Sequence, residues 1–96
     1  MVRHALLDGV EMNRCRPAAF RIPSASEKAR IRPGDYVKVG FVIDPVTGQQ
    51  ECVWLRVQAV NGDTIAGVLD DDPVYAEAAF GERIELDLRH VLAIER

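Results

Sequence analysis

The fold of this chain is decided by the stretch Gly34-Asp35-Tyr36-Val37-Lys38-Val39-Gly40-Phe41. From Tyr36 to Ile43, apolar side chains alternate with other residues, and this period of two is typical of a strand with one buried face. Pro33 and Gly34 come immediately before it and predict a turn, because proline presets φ and glycine accepts a positive φ. We therefore expect a strand that enters the sheet from a tight turn.

Four more strands are predicted downstream of this one. Asn61-Gly62 is a strong signal for a hairpin between the second and third strands. Gly40 and Gly67 lie inside predicted strands, where glycine indicates a sharp bend or the close approach of another backbone. Alternation and glycine-containing turns give the bounds of the four further strands as 51–60, 64–69, 83–88 and 90–94.

Short helices complete the predicted fold. Ser24-Ala25-Ser26-Glu27 matches a capping box and predicts a helix over 25–30. A second helix is expected with Asp72 as its N-cap and Pro73 at its first position, and Gly81 would end it. The predicted fold class is mainly β with α+β character: a small, strongly bent antiparallel sheet or SH3-like partial barrel of about five strands with one or two short helices.

The length of 96 residues fits a single domain over 1–96. Within it, residues 34–96 are expected to form the barrel-like core. Residues 1–33 are expected to be an N-terminal segment that covers the edges of the sheet, with three apolar anchors: Met12, Phe20 and Ile22.

Composition and charge narrow the range of functions. The chain is 48% hydrophobic and 28% charged, as is ordinary for a folded soluble protein. Its net charge of −3 argues against nucleic-acid binding, because neutralising phosphates usually needs a concentrated basic surface. The basic residues are nevertheless concentrated in the N-terminal third, where we expect them to solvate a surface: Arg14, Arg16, Arg21, Lys28, Arg30 and Arg32.

The sequence predicts a cytoplasmic protein without a membrane partner. Ala5-Leu6-Leu7 is too short for the apolar core of a signal peptide, and no run approaches the roughly 20 apolar residues that span a bilayer. Cys15 and Cys52 have no metal-type spacing and are expected to be free thiols. Because Cys52 lies inside a predicted strand, we expect it to be buried.

Residues 34 to about 95 resemble the bacterial domain of unknown function typified by the YegJ-like proteins. The motifs that carry this resemblance are Gly34–Phe41, Glu51-Cys52-Val53-Trp54 and Gly67–Pro73. Relatives often carry methionine where Val53 stands and asparagine where Asp71 stands. The resemblance implies a small β-rich domain with no assigned chemistry, and some similar-looking domains are labelled immunity proteins of bacterial toxin systems.

Trp54 is the first candidate for a binding residue. Alternation places it beside Arg56 on the less apolar face of the second strand, and an exposed tryptophan is a typical hot spot. The alternative is that the N-terminal segment covers that face and buries Trp54. The acidic run and the tyrosine that follows it extend the predicted partner-binding surface, whose members are Trp54, Arg56, Asp70, Asp71, Asp72 and Tyr75.

No catalytic, cofactor or metal site is predicted. The three adjacent aspartates lack the glycine-punctuated loop of a calcium site, which favours a helix cap by Asp72 instead. Glu51 and Lys38 lie on neighbouring predicted strands, where a cross-strand ion pair is expected.

These patterns favour a non-enzymatic binding module for a protein or peptide partner, acting as a monomer or homodimer. In the immunity-type version, a chain of charge −3 masks a basic toxin surface. One alternative is a small hydrolase that uses Cys52, His90 and an acid. The other is a single-stranded nucleic-acid binder that uses Tyr36, Trp54 and the N-terminal arginines.

Overall fold

The structure is a computed structural model that describes residues 5–15 and 21–96. It is mainly β, as predicted, with five antiparallel strands in one open sheet and two short helices. The elements in chain order are α1 (Gly9–Cys15), α2 (Ala25–Lys28), β1 (Tyr36–Asp44), β2 (Gln49–Asn61), β3 (Thr64–Leu69), β4 (Arg83–Asp87) and β5 (Ala93–Glu95), with a 3-10 turn at Leu88–His90.

The strands lie in the order β4-β3-β2-β1-β5. Residues 88–92 therefore connect one outermost strand of the sheet to the other. A flat five-stranded sheet is about 19 Å wide, whereas this connection, part of which is a 3-10 turn, spans about 17 Å. The sheet must therefore curl. Among the described residues no ladder joins β4 to β5, so the sheet stays open and the closed, SH3-like detail of the prediction is not confirmed.

The outer edge of β1 is paired in two steps. β5 pairs with it over Tyr36–Lys38, and the backbone N–H of Leu92 donates to the Lys38 carbonyl at 2.8 Å. Residues 5–7 then continue the pairing, since Leu7 N donates to Gly40 O and Val42 N donates to the carbonyl of residue 5, both at 2.8 Å. This segment covers the part of β1 that β5 leaves open. Phe20, one of the expected anchors, lies outside the described residues.

The core lies on one face of the sheet. Alternating residues of β1 to β4 fill it, as the sequence pattern of β1 predicts. Each fully buried apolar side chain of this kind contributes about 1.5–3 kcal/mol relative to exposure. Three residues outside the sheet complete the core, namely Ile31, Ala76 and Val91. The core residues in the strands are Val37, Val39, Phe41, Val53, Leu55, Val57, Ile65, Leu69, Ile84 and Leu86.

Two register shifts modify the predicted faces. Val57 lies opposite Gly67, but Ala59 lies opposite Ala66, so Gln58 is an extra residue in β2. The extra residue reverses the side on which the following residues project. Ala59 is therefore exposed, although simple alternation placed it on the core face with Val57. A second shift lies between Val42 and Asp44 in β1.

The helices follow the predictions only in part. α2 begins with the predicted capping box, because Ser24 Oγ accepts from Glu27 N and Glu27 Oε1 accepts from Ser24 N, both at 3.2 Å. The helix predicted between Asp72 and Gly81 is wrong, since those residues form bends and turns. α1 was not predicted, because Gly9–Cys15 carries no apolar period. None of the described helices is both long and apolar enough to cross a membrane.

Gly67→Ala is expected to destabilise the fold more than Gly40→Ala does. A Cβ at Gly67 would lie 3.1 Å from the Arg56 carbonyl oxygen, which the β2–β3 ladder holds in place. A Cβ at Gly40 would instead lie 3.3 Å from the Leu7 Cβ and 3.5 Å from Leu92 Cδ1, and the Leu92 side chain can rotate. We expect a loss of about 1–3 kcal/mol for Gly67→Ala and less for Gly40→Ala, measured by urea unfolding. Equal losses would contradict this explanation.

Candidate functional site

Trp54 forms part of a groove on the face of the sheet opposite the core. Lys38 lies directly across from Trp54 on β1, and Tyr36 lies across from Arg56. On the other side, the backbone N–H of Asp70 donates to the Trp54 carbonyl at 2.9 Å and extends the pairing beyond β3. The groove has a volume of about 330 Å³, and its lining residues are Tyr36, Trp54, Asp70, Glu95 and Arg96.

The structure thus brings Asp70 and Asp71 to Trp54, since Asp70 N donates to the Trp54 carbonyl and Asp71 accepts from Trp54 N. Arg56 follows Trp54 on the same face of β2, outside the residues that line the groove. Trp54 is half-buried and Arg56 is exposed. The sequence left open whether Trp54 is exposed or covered, and the observed position lies between these alternatives. Leu7 and Leu92 pack near Gly40. Gly40 lies two residues along β1 from Lys38, which is the residue opposite Trp54. Trp54 remains accessible enough to line the groove.

We call residues 70–82 the acidic loop. Its C-terminal end is hydrogen-bonded to Leu69, the last residue of β3. Gly81 N donates to Leu69 O at 2.7 Å, and Leu69 N donates to Glu82 O at 2.8 Å. These two bonds bring the ends of the loop together, as in a compact surface loop of the Ω type. Local sequence signals for a helix are overridden because the backbone of this segment is bonded elsewhere.

Glu51 fixes the middle of the acidic loop. Its carboxylate accepts from the backbone N–H groups of Val74, Tyr75 and Ala76 at 2.7, 3.0 and 2.8 Å. Hydrogen bonds to an ionised carboxylate are stronger than those between neutral groups. The predicted ion pair between Glu51 and Lys38 is wrong, because Glu51 lies across from Phe41 rather than from Lys38.

The three aspartates have separate environments. Asp70 lines the groove. Asp71 accepts from Trp54 N at 3.3 Å through Oδ2 and from Asp72 N at 2.9 Å through Oδ1. Asp72 is exposed and caps no helix. Within residues 5–15 and 21–96, no group of three or more His, Cys, Asp and Glu side chains is placed to hold a metal ion.

The acidic loop presents large apolar side chains to solvent. Val74 is 78% exposed, Tyr75 63% and Phe80 68%. The loop carries no lysine or arginine, while its five acidic residues are Asp70, Asp71, Asp72, Glu77 and Glu82. A backbone held by Glu51 thus displays aromatic side chains in a segment whose charged residues are all acidic. The sequence indicated Tyr75 but not Phe80 or the role of Glu51, which depends on partners more than 20 positions away.

The residues of the hydrolase hypothesis are not brought together. Cys52 is exposed, so the prediction of its burial is wrong; it lies across from Gly40 on the face opposite the core. His90 Nδ1 accepts from Asp87 N at 3.0 Å. In the described part of the chain, no hydrogen bond joins Cys52 to His90. The described residues therefore do not pair Cys52 with His90 as nucleophile and base.

Basic residues lie at the end of the groove. Arg30, Arg32, Asp35 and Arg96 line a second depression of about 410 Å³, and Arg96 borders both depressions. The Asp35 carboxylate accepts from Arg32 N at 3.0 Å and lies 3.9 Å from Arg96 Nε. The groove therefore runs from acidic residues at Asp70 to a basic end.

We compared the chain with protein-family models, with curated proteins and with solved structures, and none of the three comparisons found a match. The resemblance to the YegJ-like proteins therefore stays a prediction that rests on the quoted motifs.

Glu51→Gln is expected to loosen the acidic loop while the sheet stays folded. The amide offers one acceptor oxygen where the carboxylate offers two, so the three backbone donors lose part of their bonding. Hydrogen exchange should quicken at Val74, Tyr75 and Ala76, and unfolding should require about 1–3 kcal/mol less free energy. Glu85→Gln is the matched control, since Glu85 is exposed on β4. Unchanged exchange at these three amides in Glu51→Gln would contradict the anchoring role.

The protein is expected to lose stability as the pH falls below about 6.5. Burial, and next the neighbouring Arg89, lower the pKa of His90 from its ordinary value. The unfolded chain therefore binds a proton at His90 more readily than the folded one. Stability drops as the pH falls from the pKa of His90 in the unfolded chain through its lower pKa in the folded protein. Protonation also removes the Nδ1 acceptor for Asp87 N. Urea midpoints at about pH 7.5 and about pH 5.5 should differ less in His90→Gln than in wild type. A His4→Gln control that removes the difference equally would contradict the assignment.

Proposed function

We propose that this protein is a non-enzymatic binding module whose acidic loop and Trp54 groove receive a basic surface of a protein or peptide partner. The observation that carries the proposal is the acidic loop itself. It exposes Val74, Tyr75 and Phe80 on a backbone anchored by Glu51, and it contains no lysine or arginine.

The loop and the groove meet at Asp70. Asp70 belongs to the loop and lines the groove, and the next residue, Asp71, bonds to the Trp54 backbone. Aromatic residues of this kind are the usual anchors of an interface, because they bury a large area at a low cost in side-chain entropy. Tyr75 and Trp54 are the two anchors in this proposal, and Arg56 extends the surface along β2.

Charge selects the class of partner. The loop has five carboxylates, and the chain as a whole has a net charge of −3. Complementary charge speeds association and rejects acidic partners by repulsion. An immunity-type role, in which the acidic loop masks a basic toxin surface, is the concrete form of the proposal and agrees with the YegJ-like resemblance. The proposal also includes an SH3-like partial barrel, a cytoplasmic location and a monomeric or homodimeric state.

A second candidate function is the binding of single-stranded nucleic acid. Tyr36 and Trp54 line the same groove as Arg96, and the groove continues towards Arg30 and Arg32. Bases stack on aromatic side chains while arginines neutralise the phosphates. We rank this function second because Asp70 and Glu95 line the same groove and repel a phosphate backbone.

Labelled peptides test the proposal by fluorescence anisotropy. Two peptides should share length and apolar residues, one rich in lysine and arginine and the other rich in glutamate. We expect only the basic peptide to bind, with an affinity that falls as salt is added. Tyr75→Ala should weaken binding about tenfold without loss of stability, since the side chain is exposed. Val46→Ala is the control, because Val46 is 92% exposed but lies in the turn between β1 and β2.

Trp54 is the sole tryptophan of the chain, so its emission reports directly on the groove. A basic peptide should change this emission, and Trp54→Ala should bind the peptide less well. Equal binding of the acidic and basic peptides, or full binding by Tyr75→Ala, would refute the proposal. Salt-sensitive binding of an oligothymidylate without peptide binding would favour the second candidate function.

A further inference from the structure

Lys28 is the one charged side chain that is buried among the described residues. It lies at the end of α2 and is 7% exposed. Lysine normally keeps its ammonium group in water, and burial of a charge without a partner costs free energy. A buried lysine therefore calls for a compensating negative charge.

The described residues provide Lys28 with no such partner at close range. No carboxylate among them lies within 4.0 Å of its ammonium group, and none of their oxygens accepts a hydrogen bond from it. Asp8 is the acid that acts on it from a distance. The Asp8 carboxylate is itself engaged, since it accepts from Glu11 N at 3.0 Å and lies 3.9 Å from Arg89 Nε. Burial accordingly lowers the pKa of Lys28, and Asp8 opposes the shift.

Lys28 lines a pocket that is separate from the Trp54 groove. The pocket has a volume of about 540 Å³, which lies within the usual range for small-molecule sites. It lies between α1, α2 and the 3-10 turn. Its lining consists of five apolar residues and four charged ones: Val10, Ile22, Pro23, Ala25 and Leu88, with Lys28, Asp63, Asp87 and Arg89.

The charges around the pocket limit the ligand to a single negative charge. Arg89 Nη2 lies 3.4 Å from Asp87 Oδ2, so these two charges compensate each other. Lys28 is then the one buried cation that an anion can neutralise. Additional negative charge would meet repulsion from Asp63, which also lines the pocket, and this disfavours a phosphate dianion. The apolar lining requires an apolar body on the ligand.

We propose that this pocket binds a small amphipathic monocarboxylate whose carboxylate pairs with Lys28 and whose apolar body packs against Val10, Ile22 and Leu88. The site shares no residue with the acidic loop or the Trp54 groove. The proposal for this pocket is therefore independent of the proposed function and is tested separately.

Octanoate and 1-octanol are the probes, because they share an apolar chain and differ in charge. Binding is followed in the full-length protein by the methyl signals of Val10, Ile22 and Leu88 in NMR titrations. We expect octanoate to shift these signals and to bind about tenfold more tightly than octanol, as a charged hydrogen-bonded pair predicts.

Three variants test the role of Lys28. Lys28→Met keeps the length of the side chain without its charge and should abolish the preference for octanoate over octanol. Lys28→Arg restores a cation and should keep the preference, and Arg83→Met, on β4 outside the pocket, should behave as wild type. Equal affinity of the wild type for both probes, a preference that survives in Lys28→Met, or no methyl shifts at millimolar octanoate would each overturn the proposal. If Lys28→Met fails to fold, the comparison of the two probes on wild type and Lys28→Arg decides the question.

Discussion

The short connection between β4 and β5 is the constraint on which the rest of the structure depends. Residues 88–92 must reach from one outermost strand of the sheet to the other, and a flat sheet is too wide for them. The crossing places Val91 in the core and Leu92 against Gly40. It also packs against α1, since a Cβ at Gly9 would lie 2.8 Å from Leu92 Cδ2. The Lys28 pocket borders this connection through Leu88 and Arg89, and the Trp54 groove borders the end of the chain that follows it through Glu95 and Arg96.

A second long-range interaction determines the surface that we assign to binding. The carboxylate of Glu51 accepts three consecutive backbone N–H groups of the acidic loop, 23 to 25 positions later in the chain. These bonds satisfy three consecutive backbone donors in a segment that forms no helix. Ala76, buried in the core, strengthens the same attachment. The exposed side chains at positions 74 and 75 are therefore presented by a fixed backbone, which lowers the entropy cost of binding.

The sequence was sufficient for features that depend on neighbouring residues. The alternation in β1 identified its core face, and Ser24 and Glu27 formed the predicted capping box. It was insufficient where distant contacts decide the outcome. The helix after Pro73 is replaced by bonds to Glu51 and Leu69, and the exposure of Ala59 follows from one extra residue in β2. For the candidate site, alternation correctly placed Trp54 beside Arg56, but no local pattern marks Glu51 as an anchor or Lys28 as a buried cation.

The position of Lys28 is best understood by comparison with the other charges. Most of the acidic and basic side chains lie at the surface, where water stabilises each of them at little cost. A side chain that merely filled the space at position 28 would be more favourable without a charge, because methionine has a similar length and no desolvation cost. Under the proposal for this pocket, an anion that enters it offsets the cost of burying this cation. The two proposed sites thus differ in physical character: the acidic loop attracts a partner through exposed charge, whereas the Lys28 pocket selects a ligand through a cation on a largely buried side chain.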